Sequence, residues 1–495
     1  MMGYTDDTMA EDDAFDENAQ LNFATSTPLK KGFRRYSEPA IPTNRRSSES
    51  DPLLAPADDY EPKGGPPDRF HLVYILFYVL GIGTLLPWNF FSTAKGYFLY
   101  KLRNTSIPVA NATNPDMLNN LQISFESYLA IAAMVPNILF LFLNTALTKR
   151  IRLKVRMVTS IVIMIIMFGF TIVLVKIDTD QWQETFLGVT LGTVVILNAN
   201  GAIMQGCLFG LASMFPRRYL QSVMGGQALG GSLAALANIA AISAGNDDYI
   251  DSAFGYFLTA TVILIICLMS YLALGVSHFA KFHAEKCLAH HESLDKNAAV
   301  IDLGSNEASV PLILNRKINY FMVWRRIWFY AVSVCIIFSV TLGLFPGVLS
   351  AIVSENYGKS KWATLYFTPV ICFFLFNTGD LIGRTLAAWL HVFRKGPGIP
   401  LITFMRLGFI PLLLFCNVQP RIHGLPVFFS NDAYPIVFIA LFAVSNGFIG
   451  TLCMMFAPGR VHPDDAETAG SMMSFFLSLG LAFGAVISMG LIKML

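Results

Sequence analysis

The sequence is poor in charge. Of its 495 residues only 14% are Asp, Glu, Lys or Arg, whereas a soluble globular domain carries roughly 25%. Hydrophobic residues make up 54% of the chain and aromatic residues 13%, and the formal net charge is +2. A chain with so many apolar residues is not a soluble enzyme. Its net charge is close to zero, so it provides no electrostatic field that would attract nucleic acid.

Motifs of cofactor chemistry are also missing. The 7 cysteines never form a C-x-x-C pair and lie mostly in apolar stretches, so we expect neither a disulfide framework nor a zinc site. Gly358-Lys359-Ser360 is similar to the end of a phosphate-binding loop, but Val353 stands where that motif requires glycine. We therefore expect no ATP site, no metal and no cofactor.

Long apolar runs are what the chain does contain. A helical bilayer crossing needs about 20 mostly apolar residues, and eleven stretches of about that length follow one another from Phe70 onward. The predicted spans are 70–96, 126–147, 155–175, 186–212, 220–244, 253–276, 328–352, 366–391, 400–417, 434–457 and 468–493. The sequence therefore predicts an all-α polytopic membrane protein with eleven transmembrane helices.

Polar segments divide this chain. Residues 1–68 are rich in Asp, Glu, Ser, Pro, Lys and Arg, and we expect them to form a disordered cytoplasmic tail. A second polar stretch, 278–327, separates transmembrane helices one to six (69–277) from helices seven to eleven (328–495). This 6+5 arrangement with a central loop is typical of the major-facilitator-like architecture, whose carriers bind substrate near the midplane between two bundles.

Basic residues predict the orientation, because short cytoplasmic loops retain an excess of Lys and Arg. The loop after span two holds Lys149, Arg150, Arg152, Lys154 and Arg156, and the loops after spans four, eight and ten hold Arg217, Arg218, Arg394, Lys395 and Arg460. We therefore place the N-terminus in the cytoplasm. After an odd number of spans, the C-terminus lies on the extracellular or luminal face.

Glycosylation sequons agree with this orientation. Asn104-Thr105-Ser106 and Asn111-Ala112-Thr113 both lie in the loop after span one, which this topology places outside, where N-glycosylation takes place. We expect Asn104 or Asn111 to carry a glycan.

Polar side chains inside the predicted spans indicate where a substrate would bind, because charges in a bilayer are costly unless paired or hydrated. Asp380 and Arg384 are spaced i to i+4 on span eight, with Asn377 one turn earlier on nearly the same face. We expect this face to line a cavity, in which Arg384 donates to substrate oxygens while Asp380 holds it. The alternative is an ion pair that serves only structure.

Two further side chains have both a functional and a structural interpretation. Trp88 follows Pro87 in the middle of span one, and its ring is suited to stack on a planar base or to pack as an anchor. Gln205 on span four can donate to and accept from a heterocycle, or bond to a neighbouring helix. The small-residue runs at 225–231 and 480–484 predict close helix contacts.

Several of these residues belong to strings that resemble one family. Gly81-Ile82-Gly83-Thr84-Leu85-Leu86-Pro87-Trp88-Asn89-Phe90-Phe91 is similar to the first-helix signature of the equilibrative nucleoside transporters, solute carrier family 29. Four further strings of this chain resemble motifs of the same family and follow one another in the same order. They begin at Gln205, Asn377, Ser445 and Glu467. The resemblance covers about residues 69–495. It implies a facilitator, not an enzyme, that carries purine and pyrimidine nucleosides such as adenosine and uridine down their gradients without ATP.

The resemblance also implies roles for individual residues. Leu85 and Trp88 would border the nucleobase, Gln205 would hydrogen-bond it, and Arg384 with Asp380 would engage the ribose hydroxyls. The rest of the cavity would be formed by Phe345, Phe373, Asn377 and Leu481, with Asn89 as a polar support. An aromatic ring, an amide and a paired charge suit a ligand with a flat base and a diol sugar.

Two other function classes remain open from the residues. A proton-linked nucleoside, nucleobase or organic-cation carrier of the same fold would need an unpaired intramembrane acid near the cavity, and Glu467 at the start of span eleven is the candidate. A receptor or scaffold that does not transport would need no matched base and sugar site.

The tail carries two short interaction patterns. Glu49-Ser50-Asp51-Pro52-Leu53-Leu54 fits an acidic dileucine signal for a sorting adaptor and resembles the tail of the family's lysosomal branch. Arg34-Arg35-Tyr36-Ser37-Glu38-Pro39 fits a phosphoserine site for a 14-3-3 partner. We expect the plasma membrane as the location, with the late endosome or lysosome membrane as the alternative.

Overall fold

The fold is helical and is given by a computed structural model. The structure describes residues 66–105, 119–148, 150–244, 249–283, 319–389, 398–419, 426–462 and 465–494. The patterns at 34–39 and 49–54, with Glu49, Leu53 and Leu54, and the sequon at Asn111 lie outside these residues.

The helices fall on either side of the central loop. Before it are α1 (Leu72–Thr84), α2 (Leu86–Thr93), α3 (Lys95–Lys101), α4 (Asn120–Ala146), α5 (Leu153–Lys176), α6 (Gln183–Ser213), α7 (Arg217–Ala244) and α8 (Tyr249–Val276). After it are α9 (Tyr320–Leu344), α10 (Leu375–Trp389), α11 (Gly398–Met405), α12 (Phe409–Leu414), α13 (Ala433–Phe456) and α14 (Ala466–Met494). Helix α9 begins several residues before the predicted start of span seven at 328.

Most of the predicted spans are single long helices. Within the described residues, 9 helical stretches are long and apolar enough to cross a membrane. The stretches that correspond to spans one and nine are shorter, Arg69–Thr84 and Gly398–Leu414. The chain is therefore an all-helical polytopic membrane protein, and helix breaks after Thr84 and within Gly398–Leu414 shorten these two stretches.

The first span is interrupted at Leu85. Its backbone leaves the helical range, with φ −99° and ψ 3°, and Pro87 lies in the first turn of α2. Proline has no N–H for the preceding turn, so a break at this point is expected. Thr84 closes α1 by donating to the Gly81 carbonyl across 2.8 Å, and Gln227 of α7 donates to the Thr84 hydroxyl across 3.0 Å. Helix α7 thus supports the break.

The eighth span is irregular in its first half. Residues Trp362–Tyr366 and Thr368–Phe374 form wide π-helical turns, and regular α-helix begins only with α10. Proline at position 369 removes a backbone donor near the start of the second π segment. The helical stretch begins at Trp362, before the predicted start at 366.

Close contact between α10 and α13 positions the predicted ion pair. A Cβ atom at Gly447 would lie 2.8 Å from the backbone nitrogen of Arg384 and 2.9 Å from the carbonyl carbon of Asp380. Only glycine allows the two backbones to approach so closely. This contact brings the neighbouring side chain, Asn446, within reach of Asp380.

The small-residue runs form close contacts between helices, as the sequence predicts. Gly226 packs against the backbone of Tyr78, and Gly480 packs against that of Cys335. Among the described residues, 207, 267, 335, 372, 416 and 453 are free thiols, and all but Cys335 are buried. No metal-binding group of three His, Cys, Asp or Glu side chains occurs in the described segments.

Candidate functional site

The predicted ion pair forms on one turn of α10. Arg384 Nε lies 2.8 Å from Asp380 Oδ2, and the two residues are only 5% and 4% exposed. The i to i+4 spacing places both side chains on one face, as the sequence predicts. Burial of a lone charge here would be costly, so the carboxylate and the guanidinium stabilise each other.

Both members of the pair also bind other helices. Asn446 Nδ2 on α13 donates to Asp380 Oδ1 across 2.7 Å, and Arg384 Nη1 donates to the Met224 carbonyl of α7 across 2.9 Å. No described residue accepts a hydrogen bond from Arg384 Nη2. This nitrogen is the part of the guanidinium that can donate to a further partner.

Sequence reasoning missed a second buried arginine in this network. Arg406 is 1% exposed and occupies the tight turn Arg406–Gly408 between α11 and α12. Its guanidinium donates to the Phe442 carbonyl, the Ser445 hydroxyl and the Thr341 hydroxyl across 2.9, 2.5 and 2.9 Å. The signal was present in the sequence, since Arg406 is a lone charge inside predicted span nine.

Aromatic side chains line the same region. The rings of Phe345 and Phe373 meet edge to face with centroids 5.7 Å apart, and Phe345 also stacks on Phe376 at 4.1 Å. Asn377 donates to the Phe373 carbonyl across 2.8 Å, and its Oδ1 packs against Gly231 of α7. The structure therefore brings the half-buried side chains of Phe345, Phe373 and Asn377 together. Asn377 lies on α10, the same helix as the ion pair.

Gln205 bonds to a neighbouring helix. Its Nε2 donates to the hydroxyls of Ser474 and Ser478 on α14 across 3.1 and 3.4 Å. This is the interhelical bond that the sequence left open as an alternative. Gln205 is 2% exposed, and among the described residues its Oε1 has no recorded hydrogen-bond partner. Leu481 lies one turn beyond Ser478 on α14 and is half-buried.

The first-span residues lie at the helix break and beyond it. Leu85 forms the break itself, and Trp88 and Asn89 follow on α2, all three half-buried. The Trp88 side chain packs against the hydrophobic core, and among the described residues its ring meets no other aromatic ring. Asn89 approaches Gly230 of α7, next to the glycine that accommodates Asn377.

A second ion pair joins the two groups of helices. Arg156 of α5 lies 2.8 Å from Glu467 of α14, and Arg156 also donates to Asn144 across 2.7 Å. The Ser471 hydroxyl donates to the Gly206 carbonyl across 3.0 Å one turn further along α14. Glu467, the candidate acid for proton linkage, is therefore paired with a cation.

Asn104, the sequon asparagine within the described residues, lies beside a corner that is held by an ion pair and a hydrogen bond. Arg103 pairs with Asp180 at 2.7 Å, and Lys101 donates to the Ile177 carbonyl across 2.6 Å. Burial lowers the pKa of the Lys101 ammonium, and the nearby carboxylates of Asp178 and Asp180 oppose this effect. Asn104, directly after Arg103, is exposed.

The fold is similar to that of a transporter of known structure. A solved structure of the proton:xylose symporter XylE, a protein of the major facilitator superfamily, matches with a TM-score of 0.53 at 12% identity, covering 84% of this chain and 86% of the other. At this identity the likeness concerns the fold alone.

Sequence comparison identifies the family. A family model described as nucleoside transporter matches residues 191–493. Equilibrative nucleoside transporter 1 of Rattus norvegicus is 38% identical over 449 residues, which are 86% of this chain and 97% of that protein. Equilibrative nucleoside transporter 3 of Rattus norvegicus is 35% identical, covering 90% of this chain and 94% of that protein. The chain therefore belongs to the equilibrative nucleoside transporter family.

Proposed function

We propose that this protein is a facilitator that carries purine and pyrimidine nucleosides across a membrane by alternating access, without ATP. The observation that carries the proposal is the guanidinium of Arg384, which is oriented by Asp380 and Met224 and keeps Nη2 without a partner among the described residues. The relatives named as equilibrative nucleoside transporters support the same substrate class.

The ion pair suits the sugar of a nucleoside. Arg384 Nη2 can donate to a ribose hydroxyl oxygen, while the remaining lone pairs of the Asp380 carboxylate can accept from a hydroxyl proton. The pair is nearly excluded from solvent, so each such bond would be stronger than in water. Asn377, one turn before Asp380, would complete the polar side of the site.

The base would lie against the aromatic and amide groups. Trp88 would stack on its face with Leu85 at the edge, and Gln205 Oε1 would accept from a base N–H. The apolar wall would be formed by Phe345, Phe373 and Leu481, with Asn89 as a polar support. This division into an apolar base site and a charged sugar site admits both purines and pyrimidines, because stacking tolerates either ring.

The contacts between the two helix groups indicate which side is closed. In the described segments, the bonds across the groups include those of Gln205 and Arg384 described above, and three others join Gly206 to Ser471, Arg156 to Glu467 and Ala146 to Tyr320. These three lie toward the end where α6 terminates and α14 begins. In the topology that we propose, this end is cytoplasmic, so the structure corresponds to a carrier closed toward the cytoplasm. Transport would require these bonds to break and opposite contacts to form.

The proposed topology has eleven spans in a 6+5 arrangement, with a tail at 1–68, helices one to six at 69–277, a loop at 278–327 and helices seven to eleven at 328–495. The nine long helices and the two interrupted stretches support this count. The basic loops support a cytoplasmic N-terminus. Asn104 and the C-terminus would then face the extracellular or luminal side.

Proton linkage is the less favoured mode of transport. Glu467 lies 2.8 Å from Arg156, and a carboxylate held by a guanidinium is a poor proton carrier because protonation would break the pair. The names of the matched relatives describe equilibrative transport. We propose residence in the plasma membrane, with the late endosome or lysosome membrane as the alternative if the tail binds a sorting adaptor.

The decisive test is uptake of radiolabelled uridine and adenosine by purified protein in proteoliposomes, without ATP, at neutral and acidic pH. Saturable uptake that ends at equal concentrations inside and outside is expected at neutral pH. Accumulation above equilibrium that depends on a proton gradient would overturn the facilitator assignment. Absence of uptake by folded protein would overturn the substrate assignment.

A further inference from the structure

The strongest unassigned feature is the buried arginine at the interruption of span nine. We propose that Arg406 is a positioning residue for the sugar site: it fixes Arg384 through a chain of hydrogen bonds that runs through Asn446 and Asp380. The proposal rests on the function proposed above, in which Arg384 binds the ribose. Arg406 itself is 1% exposed and would not touch the substrate.

The chain begins at the guanidinium of Arg406. Nη1 donates to the Phe442 carbonyl and the Ser445 hydroxyl of α13, and Nη2 donates to the Thr341 hydroxyl of α9. Nη2 also lies 3.4 Å from Asn446 Oδ1, to which the Thr341 hydroxyl is 2.7 Å away. The Thr341 hydroxyl also lies 2.7 Å from the Ile337 carbonyl, so its one proton is shared between that carbonyl and Asn446 Oδ1. Arg406 therefore presents a donor to one end of the Asn446 amide directly, and a second, shared one through Thr341.

The next link fixes the orientation of that amide. Asn446 Nδ2 donates to Asp380 Oδ1 across 2.7 Å. An ionised carboxylate can only accept, and a guanidinium can only donate. The amide must therefore face Asp380 with its nitrogen and Arg406 with its oxygen. Asparagine fulfils both requirements, whereas aspartate at 446 would repel Asp380 and leucine would remove one hydrogen-bond partner from each neighbour.

The last link transmits this orientation to Arg384. With Oδ1 of Asp380 occupied by Asn446, Oδ2 remains directed at Arg384 Nε, 2.8 Å away. Arg384 Nη1 is held by Met224, so two anchored nitrogens determine where Nη2 points. The direction of the proposed sugar-binding donor thus depends on residues of α9, α13 and the turn after α11.

The buried charge of Arg406 is a second reason for its link to Asp380 through Asn446. Among the described residues, Arg406 has no carboxylate within ion-pair distance. Asp380 already pairs with Arg384, and Asn446 is the polar bridge between Asp380 and Arg406. A buried cation without its own anion is costly, and Arg406 is compensated by this network together with the Phe442 ring, whose centroid lies 4.8 Å from the guanidinium carbon. A purely structural role would be served as well by an apolar side chain.

The test compares two substrates that differ only in the sugar hydroxyls, uridine and 2′,3′-dideoxyuridine, in proteoliposomes. Arg406→Lys keeps the charge but loses the planar fork. We expect this variant to raise the KM for uridine about tenfold, the factor that corresponds to one hydrogen bond, and to leave the KM for dideoxyuridine within about twofold. The matched control is Arg326→Lys, the same substitution at an exposed position of α9, which should change neither value.

A structural role predicts a different pattern. If the folded Arg406→Lys protein has a lower maximal rate for both substrates and the wild-type ratio of their KM values, the proposal is overturned. If Arg406→Lys does not fold, Thr341→Val removes one acceptor of the same guanidinium and should shift the KM ratio in the same direction. A folded Thr341→Val protein with the wild-type ratio would equally overturn it. Wild-type protein that transports neither substrate would instead refute the proposed function.

Discussion

Arg384 donates a hydrogen bond from Nη1 to the Met224 carbonyl across 2.9 Å, and its own carbonyl accepts from Gln221 Nε2 across 3.4 Å. The proposed sugar-binding residue is therefore held by α7 at both its side chain and its backbone. Since α7 belongs to the first helix group and α10 to the second, Arg384 lies where the two groups meet. Movement of one group against the other would change the position of its guanidinium.

We expect Arg384→Lys to lower kcat/KM for uridine about 10- to 100-fold, because a hydrogen bond to a charged group contributes about 1.5–3 kcal/mol. A lysine ammonium keeps the charge but cannot hold Asp380, Met224 and a hydroxyl in one plane. Uptake in proteoliposomes measures the effect, and thermal stability of the purified variant controls for folding. Wild-type kinetics would contradict the assigned role.

Removal of the serines that hold Gln205 should loosen the base site. In the double variant Ser474→Ala with Ser478→Ala, we expect the KM for adenosine and uridine to rise about two- to tenfold, since a neutral hydrogen bond contributes about 0.5–1.5 kcal/mol. Ser243→Ala, an exposed serine that bonds only within its own helix, is the matched control. Unchanged KM values in the double variant would show that the amide needs no such support.

Uptake should depend on the opposite charges of Arg156 and Glu467. Either single reversal places like charges about 3 Å apart, and loss of one partner of a buried pair destabilises by about 3–5 kcal/mol. We expect Arg156→Glu and Glu467→Arg each to abolish uptake, and the double exchange to recover part of it. Recovery will be incomplete, because Arg156 also binds Asn144. Normal uptake by a single variant would mean that the pair does not close this face.

The proposed orientation predicts a glycan at the first loop. Asn104 is exposed and followed by Thr105 and Ser106, so Asn104→Gln should increase the electrophoretic mobility of protein expressed in a glycosylating cell. Enzymatic removal of N-glycans should make the two proteins migrate more closely. If the combined variant Asn104→Gln with Asn111→Gln migrates like the wild type, this loop is not glycosylated.

The tail pattern predicts location. Replacement of Leu53 and Leu54 by alanine should shift tagged protein from endosomal and lysosomal membranes to the cell surface if the dileucine binds an adaptor. Imaging with markers for both membranes measures the shift, and Leu21→Ala elsewhere in the tail is the control. A distribution equal to that of the wild type would exclude the pattern as a sorting signal.

Much of the architecture follows from hydropathy alone. The long spans were predictable because about 20 apolar residues in a row have few other stable uses. The Asp380 and Arg384 pair was predictable because the i to i+4 spacing is a local property of a helix. The break at Leu85 was indicated by Pro87, since proline affects its own turn.

The rest of the site depends on contacts that sequence spacing does not encode. Arg406 is 22 positions beyond Arg384, and the link between them runs through Asn446 on a helix later in the chain. Gln205 offered both a base contact and a helix contact, and only the position of α14 shows which groups its nitrogen meets. Long-range packing decides these partners. A lone arginine in predicted span nine nevertheless carried a usable signal, since isolated intramembrane charge requires an explanation.

The difference between Arg384 and Arg406 extends to membrane insertion during synthesis. Arg384 enters the bilayer together with Asp380, one turn away, so this helix can be inserted as a neutral unit before other helices pack. Arg406 has no acidic residue in Gly398–Leu414, and its partners on α13 are synthesised later. The short ninth segment would therefore remain poorly anchored until α13 arrives. Truncation of the chain before residue 433 should leave this segment exposed to the quality control that removes unassembled membrane helices.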